Sequence, residues 1–468
     1  DQFHASYMED MLAEALPAAL VPAQLLVLPS LPRAPSGKLD VRALESLARE
    51  TPDDVSHSGT PDDAHPRTVL ERDVLALVAE LLGQADLRLH DDLFARGADS
   101  LLLVRLVDRL RERLGVQIPL RAVFEGPSAA RLAETVARRQ RGETAAEPEA
   151  LDLPAMAVLP DAIRPRSADQ APRDVPEQVL LTGATGFLGA FVLEALLTRT
   201  EAEATVLVRA TNPDDARRRL TANLTRYGLQ LDLARVRVVV GDVAAPRLGL
   251  TPAAWQALAA RLDAVLHGAA SVDFLAGYAR LAPVNVGGTR EVLRLACEAG
   301  GAAVHLVSTL GVLDVPALRG RPGASEDTPL HALAQVQGGY EQPKWVAEAL
   351  TAAAGARGLP VAIHRPGRIA AHARTGRSNP DDAAQRVLRG CVALGAYPDL
   401  DVLLDVTPVD FVAAALVELM TRGAPSGQVY HLVNPQPTSF VALLRAAVAR
   451  GYAMDAVPVE RWGALVQE

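Results

Sequence analysis

Residues 178–189 read QVLLTGATGFLG, an apolar run that passes straight into Gly183, Gly186 and Gly189 and then into the helical pattern AFVLEALLTR. Few local patterns restrict a fold as much. Glycines at this spacing allow a tight turn, let backbone approach a pyrophosphate closely, and set a helix N-terminus against phosphate charge. The spacing alone is weak evidence, but a strand before it and a helix after it supply the context that makes it specific. Gly183, Thr185, Gly186, Phe187, Leu188 and Gly189 are therefore the expected dinucleotide cradle of an α/β, Rossmann-type, doubly wound parallel sheet.

The next strand, ATVLVRA, ends on Arg209. A cofactor without an extra phosphate usually meets Asp or Glu there, whereas a cation suits a 2′-phosphate, so NADPH is favoured over NADH. Arg219 lies ten residues on and can join it, although the RRR run at 217–219 also suits a solvated helix face. RVRVVVGDV ends in Asp242, a candidate partner for the adenine amino group. AVLHGAASV is another apolar strand, with small residues after it that leave room for a cofactor. Asn285, in VNVGGTREVLRLA, opens a helix either as a plain cap or as a catalytic group.

Two segments carry the chemistry. VHLVSTLGV is a strand ending at Ser308 and Thr309, and GGYEQPKWVAEAL places Tyr340 and Lys344 four apart. On a helix those positions share a face. A lysine near a phenol favours the phenolate, so the tyrosine can donate a proton nearer neutral pH. Thr309 can donate a hydrogen bond to the same substrate oxygen. Pro343 precedes the lysine, and proline is tolerated in a first turn but costs about 3 kcal/mol in a helix interior. The helix is therefore expected to begin close to Tyr340 or to be irregular there. Further on, Arg365 and Arg368 in IHRPGRIAAHARTG suit either a structural role or a nicotinamide contact, and Asp410 in TPVDFVAAAL is expected to be an N-cap.

The 468 residues predict two to four domains. Residues 51–66, rich in Pro, Asp, Ser and Gly, read as a linker, and residues 141–176 as a second one, broken by LDLPAMAVLP, part of which can pack on a neighbour. Residues 1–50 are too few for a sizeable core of their own. Between the linkers, residues 67–140 begin with the helical pattern VLERDVLALVAELL. Then comes HDDLFARGADSLLLVRLVDRLRERLGV, in which Ser100 precedes an amphipathic stripe of Leu102, Leu106, Val107 and Leu110. Asp99 or Ser100 can serve there simply as a helix cap.

This block resembles an acyl or peptidyl carrier domain, a small α-helical bundle. The family's Gly-Gly-x-Ser-Leu appears as GADSL, with Ala98 for the second glycine, and DDLF and VFEGPSAARLA also match. The resemblance implies that Ser100 carries a 4′-phosphopantetheine arm whose thiol holds an acyl or peptidyl thioester. A helix N-terminus favours the phosphodiester charge. Residues 1–50 resemble the tail of an adenylation domain through LPAALVP, LPSLP and SGKLD. Lys38 matches the lysine that reaches the acyl-adenylate, with Ser36 in place of the usual Asn; a solvated turn lysine is the other reading. The ATP-binding core is not in this sequence, so the chain is not expected to activate a substrate by itself.

Residues 177–468 are similar to the extended short-chain dehydrogenase/reductase family. Within it they resemble the terminal thioester reductases of nonribosomal peptide synthetases, through GDVAAPRLGL, NVGGTREVLRLA, GYEQPKWVAE and HRPGRI. Pro343 departs from that family's usual Ser. The resemblance implies reductive chain release in nonribosomal peptide or hybrid polyketide biosynthesis. Hydride from NADPH would convert the thioester to an aldehyde, and a second hydride to an alcohol. Thr309, Tyr340 and Lys344 would be catalytic, with Lys344 also on the nicotinamide ribose, and a smaller C-terminal lobe would bind substrate. Upstream synthetase modules and a phosphopantetheinyl transferase are the implied partners. Three rivals stand beside this reading: an extended dehydrogenase or epimerase acting on a free small molecule, a redox-inactive cyclising release domain, and a docking scaffold. The fused carrier weighs against the first, and Tyr340 against the second.

Composition narrows the classes further. A net charge of −9 argues against nucleic acid as a partner. No apolar run of 18 residues and no signal peptide occur, so a cytoplasmic protein with no membrane contact is expected. Only Cys297 and Cys391 are present, each among apolar neighbours, so neither a disulfide framework nor a metal site is expected.

Overall fold

A computed structural model describes residue 66 and residues 68–467, apart from positions 85, 94–95, 99, 117, 119–122, 124–127, 142–150, 166–174, 275, 319–323, 401 and 424. Lys38, Asp99 and residues 51–65 of the first linker lie outside the described residues. The chain divides into two compact units, residues 1–151 and 152–468.

In the first unit the described helices are α1 (Val69–Leu82), α2 (Ser100–Leu114) and α3 (Ala129–Gln140). Thr68 and Glu71 form a reciprocal capping box that fixes the start of α1. Leu106 and Leu110 of the expected stripe are fully buried, with Leu103 beside them, while Leu102 and Val107 pack at the margin. They meet Val74, Leu77 and Val78 of α1 and Leu132 and Val136 of α3 in one apolar core.

The second unit is built on a sheet of seven parallel strands. These are β1 (Gln178–Thr182), β2 (Glu203–Val208), β3 (Val236–Val240), β4 (Ala264–His267), β5 (Ala303–Val307), β6 (Val361–Pro366) and β7 (Gln428–Leu432). Their order across the sheet is β7-β6-β5-β4-β1-β2-β3. It reverses between β1 and β4, which opens a crevice at the strands' carboxyl ends where such sheets bind ligands. Alternate residues of β1 face opposite layers, as a pleat requires. Val179 and Leu181 join one core with Phe191 and Leu196, and Leu180 joins the other with Trp255, Val292 and Trp345. Helices thus cover both faces, and the central strands are buried as parallel strands must be.

Residues 152–163 belong to this unit, although their composition suggests linker. Leu153, Leu159 and Ile163 are buried in its core. Arg357 donates to the carbonyls of Leu159 at 2.8 Å, Pro160 at 2.7 Å and Ile163 at 2.9 Å. A smaller lobe follows β6, with a core of Cys391, Tyr397, Val441, Leu444 and Met454. Cys297 and Cys391 are both buried and free. Among the described residues no helix is long and apolar enough to cross a membrane.

Asp410 is not an N-cap. Pro408 precedes the helix Val409–Met420, and the Asp410 carboxylate accepts from the Ala373 amide at 2.9 Å, so it fastens a loop instead. Arg365 is structural. It is 1% exposed and pairs with the fully buried Glu348, Nε to Oε1 at 3.0 Å and Nη2 to Oε2 at 2.6 Å. Arg368 lies nearer solvent, 3.6 Å from Asp382.

Candidate active site

The glycine turn follows β1 directly. Gly183 has φ +86°, a backbone region that favours glycine, and a Cβ there would lie 2.8 Å from the backbone of Gly268 and Ala269 after β4. A Cβ on Gly189 would overlap the Gly183 carbonyl. Gly186 then caps α4 (Phe187–Arg199) without any side-chain cap, so the first amides of that helix have no side chain bonded over them. A turn with no room for side chains and an uncapped helix end fits a pyrophosphate. Thr185 is exposed at the turn, and Phe187 and Leu188 are half-buried beneath it.

α5 (Pro213–Arg226) runs beside this cradle. Asn223 donates from one amide to the carbonyls of Ala184 and Gly186, each at 3.1 Å, and so holds the turn from outside. Arg209 is exposed just beyond β2, and the Arg219 guanidinium donates to its carbonyl at 2.6 Å. The two expected 2′-phosphate ligands are therefore neighbours. Asp242 follows β3, and its carboxylate accepts the Ala244 amide at 2.9 Å.

At the switch point a buried polar chain links strands and helix. The Ala269 amide donates to the Thr182 hydroxyl at 3.1 Å, Thr182 meets His267 Nδ1 at 2.8 Å, and His267 Nε2 meets the Thr289 hydroxyl at 3.2 Å. Thr289 donates to the Asn285 carbonyl at 2.7 Å. Asn285 does not open a helix. It lies in a π-helical turn, Pro283–Gly287, and its amide clamps both backbone groups of Ser271 at 2.8 and 3.0 Å. Burial, and then the charge of Lys344, lower His267 to about 3, so its ring is neutral.

Tyr340 is the N-cap residue of α6 (Glu341–Ala356). Pro343 is the third residue of that helix, inside the first turn, where a missing N–H costs nothing. The expectation drawn from Pro343 thus matches the observed helix start. Lys344 is 4% exposed and donates from Nζ to the Val307 carbonyl, at the end of β5, at 2.7 Å. Burial lowers its ammonium to about 8, with Glu348 opposing the drop. The expectation that the lysine pulls Tyr340 toward phenolate is not met. Burial raises the phenol well above its ordinary value, the neighbouring Glu341 carboxylate adds to the rise, and Lys344 is not among the causes. Tyr340 is a neutral O–H donor. Thr309 is half-buried after β5, and its hydroxyl oxygen accepts the Gly311 amide at 3.1 Å, which leaves its own proton to donate elsewhere.

Sequence reasoning missed three residues here. Phe274 is 66% exposed and sets its ring edge-on to Tyr340, centroids 5.3 Å apart. Glu341 is half-buried beside the tyrosine. Asn223 has only a helical neighbourhood to mark it. The exposed aromatic in SVDF, after a strand that feeds the crevice, was a readable signal; the other two were not. In the first unit, Ser100 is the first residue of α2, as expected.

Comparison with known proteins identifies the family and the fold. Residues 181–416 match the family described as male sterility protein, an NAD-binding family, and residues 72–136 match a phosphopantetheine attachment site. The chain is 36% identical over 469 residues to a linear gramicidin synthase polypeptide of Brevibacillus parabrevis, a match that covers 98% of this chain but 9% of that protein. The chain therefore spans only a small part of that relative. The terminal R domain from the myxalamid PKS-NRPS pathway shares 43% identity, with a TM-score of 0.62 over 67% of this chain and 80% of its own. A thiolation-reductase di-domain from an archaeal non-ribosomal peptide synthetase, at 21% identity, shares the fold, with a TM-score of 0.67 over 86% of this chain and 85% of its own.

Proposed function

The chain belongs to the male sterility protein family, with a phosphopantetheine attachment site ahead of its reductase, and we propose that it releases a carrier-bound acyl or peptidyl thioester by NADPH-dependent reduction. It is an NAD(P)H-dependent oxidoreductase. The observation that carries the reading is that the glycine cradle follows β1 while Thr309 follows β5, with only β4 between them, and Lys344 of α6 reaches the Val307 carbonyl at the end of β5.

Gly183, Gly186 and Gly189 would hold the pyrophosphate at the uncapped start of α4. Arg209 and Arg219 hold the 2′-phosphate, which selects NADPH, and Asp242 accepts from the adenine amino group with lone pairs its backbone bond leaves free. The bound dinucleotide supplies hydride to the thioester carbonyl carbon. Tyr340 and Thr309 donate to the developing oxyanion, the effect that usually contributes most to such catalysis. Tyr340, kept neutral by its surroundings, carries the proton that the oxyanion takes. Lys344 spends one of three N–H donors on Val307, and another would be free to hold the nicotinamide ribose. Ser100 bears the arm that delivers the thioester, attached by a phosphopantetheinyl transferase after upstream synthetase modules have built the acyl group.

The test loads Ser100 with an acyl-phosphopantetheine and follows NADPH oxidation, with the product identified by mass spectrometry. Aldehyde or alcohol is expected. Ser100→Ala should abolish release from the carrier while a free acyl thioester is still reduced. No NADPH oxidation by the loaded wild-type chain would refute the reading.

A further inference from the structure

Reduction of a thioester creates two proton demands, one at the carbonyl oxygen and one at the departing sulfur. Tyr340 and Thr309 answer the first. Glu341 is placed to answer the second.

Glu341 is the first residue of α6, and the plain reading is an acid that complements the helix dipole. Its surroundings say more. Its side chain lies between two glycines from other turns. A Cβ on Gly338, at φ +105°, would overlap Oε2, and a Cβ on Gly311 would stand 3.0 Å from Glu341 Cγ. The same Gly311 position is 3.4 Å from Glu341 Oε1 and 3.4 Å from the Thr309 hydroxyl. The carboxyl therefore shares one small space with an oxyanion donor. A helix dipole lowers a carboxyl, whereas this one is raised, first by burial and then, against its own backbone amide, by Asp314. Among the described residues, the titratable groups that interact with it are Asp314, after the turn that follows Thr309, and Tyr340, the residue before it; Lys344, one turn along the helix, is bonded to Val307.

We infer that Glu341 is the acid that protonates the leaving thiol. The inference rests on the thioester-reductase reading above. Hydride addition and transfer of the Tyr340 proton give a thiohemiacetal. On collapse the C–S bond breaks and its electron pair goes to sulfur. The hydroxyl proton returns to the Tyr340 phenolate as C=O re-forms, and sulfur takes the Glu341 proton. The carboxylate regains a proton from solvent. One hydride and one solvent proton are consumed, and an aldehyde and a free thiol leave.

The experiment compares wild type, Glu341→Gln and Glu341→Asp on thioesters of one acyl group with an alkyl thiol or an acidic aryl thiol. An aryl thiolate departs without help. Glu341→Gln should slow the alkyl thioester by about 10²-fold, the low end for general acids because a thiolate is already a fair leaving group. With the aryl thioester the loss should shrink to a few-fold, and Glu341→Asp should lie between. A second readout is independent of turnover. The infrared difference between wild type and Glu341→Gln should contain a carboxylic acid band that persists above pH 4.5, the ordinary glutamate value. Equal losses on both thioesters, no loss on either, or a carboxyl that titrates at 4.5 or below overturns the inference. If Glu341→Gln does not fold, Glu341→Asp and the wild-type infrared titration decide. A wild type that leaves the alkyl thioester unreduced overturns the proposed function instead.

Discussion

Lys344 carries a stability cost that pH can reveal. Its ammonium is buried, and the fall from 10.5 to about 8 corresponds to about 3 kcal/mol against the charged form in the folded chain. Below pH 8 the group is charged folded and unfolded, so folding bears the whole cost. Between pH 8 and 10.5 only the unfolded chain still holds the proton, and stability from this group rises with pH. Above 10.5 the cost is gone. Lys344→Met removes the cost at every pH but leaves the buried Val307 carbonyl without its partner, a loss of about 1–3 kcal/mol that does not depend on pH. At pH 7 the variant should therefore equal or exceed wild type by up to about 2 kcal/mol, and near pH 10.5 it should be the less stable by about 1–3 kcal/mol. Urea unfolding followed by tryptophan fluorescence measures this, because Trp255, Trp345 and Trp462 all lie in the reductase unit. The variant should also lose reductase activity. A stability difference that stays constant from pH 7 to 10.5 would refute the account of a buried ammonium.

Two further substitutions test the cradle. Gly189→Ala drives a Cβ into the Gly183 carbonyl, so NADPH affinity in a fluorescence titration should fall by at least about 10-fold, the equivalent of 1.4 kcal/mol. Arg209→Glu should weaken NADPH by roughly 10- to 150-fold, the worth of one hydrogen bond to a charged group, and leave NADH affinity unchanged or raised. The Arg219 bond goes to the Arg209 backbone and survives that change, so an unaltered NADPH affinity would place the 2′-phosphate elsewhere.

The sheet was legible because its signals are local. Apolar runs such as QVLLT and AVHLV ended in glycine or small residues, and period and punctuation sufficed to order them. Ser100, Thr309 and Lys344 sit where pattern placed them, at a helix start, a strand end and a first turn. What failed was long-range. The apolar stretch LDLPAMAVLP hinted at packing on a neighbour, but nothing in it discloses that Arg357, some 200 residues away, captures the Leu159 and Pro160 carbonyls within it and the Ile163 carbonyl beyond. Residues 152–163 look like linker because their stabilising partners are distant. Lys344 looked like a partner for Tyr340 because spacing shows a shared face but not where Nζ goes, and Nζ goes to Val307. Asp410 looked like a cap because sequence does not show that Ala373 would compete for it.

The polar chain under the crevice runs in one direction. Thr289 gives its only hydroxyl proton to Asn285, so toward His267 it can only accept, and His267 must carry its proton on Nε2. Bare Nδ1 then accepts from Thr182, which in turn accepts from the Ala269 amide. Every donor points the same way, from a peptide N–H at one end to a peptide carbonyl at the other. Neither terminus can release or keep a proton, so the relay is closed at both ends. It braces β1, β4 and the π turn, but it conducts nothing, so protons consumed at Tyr340 must enter by another route.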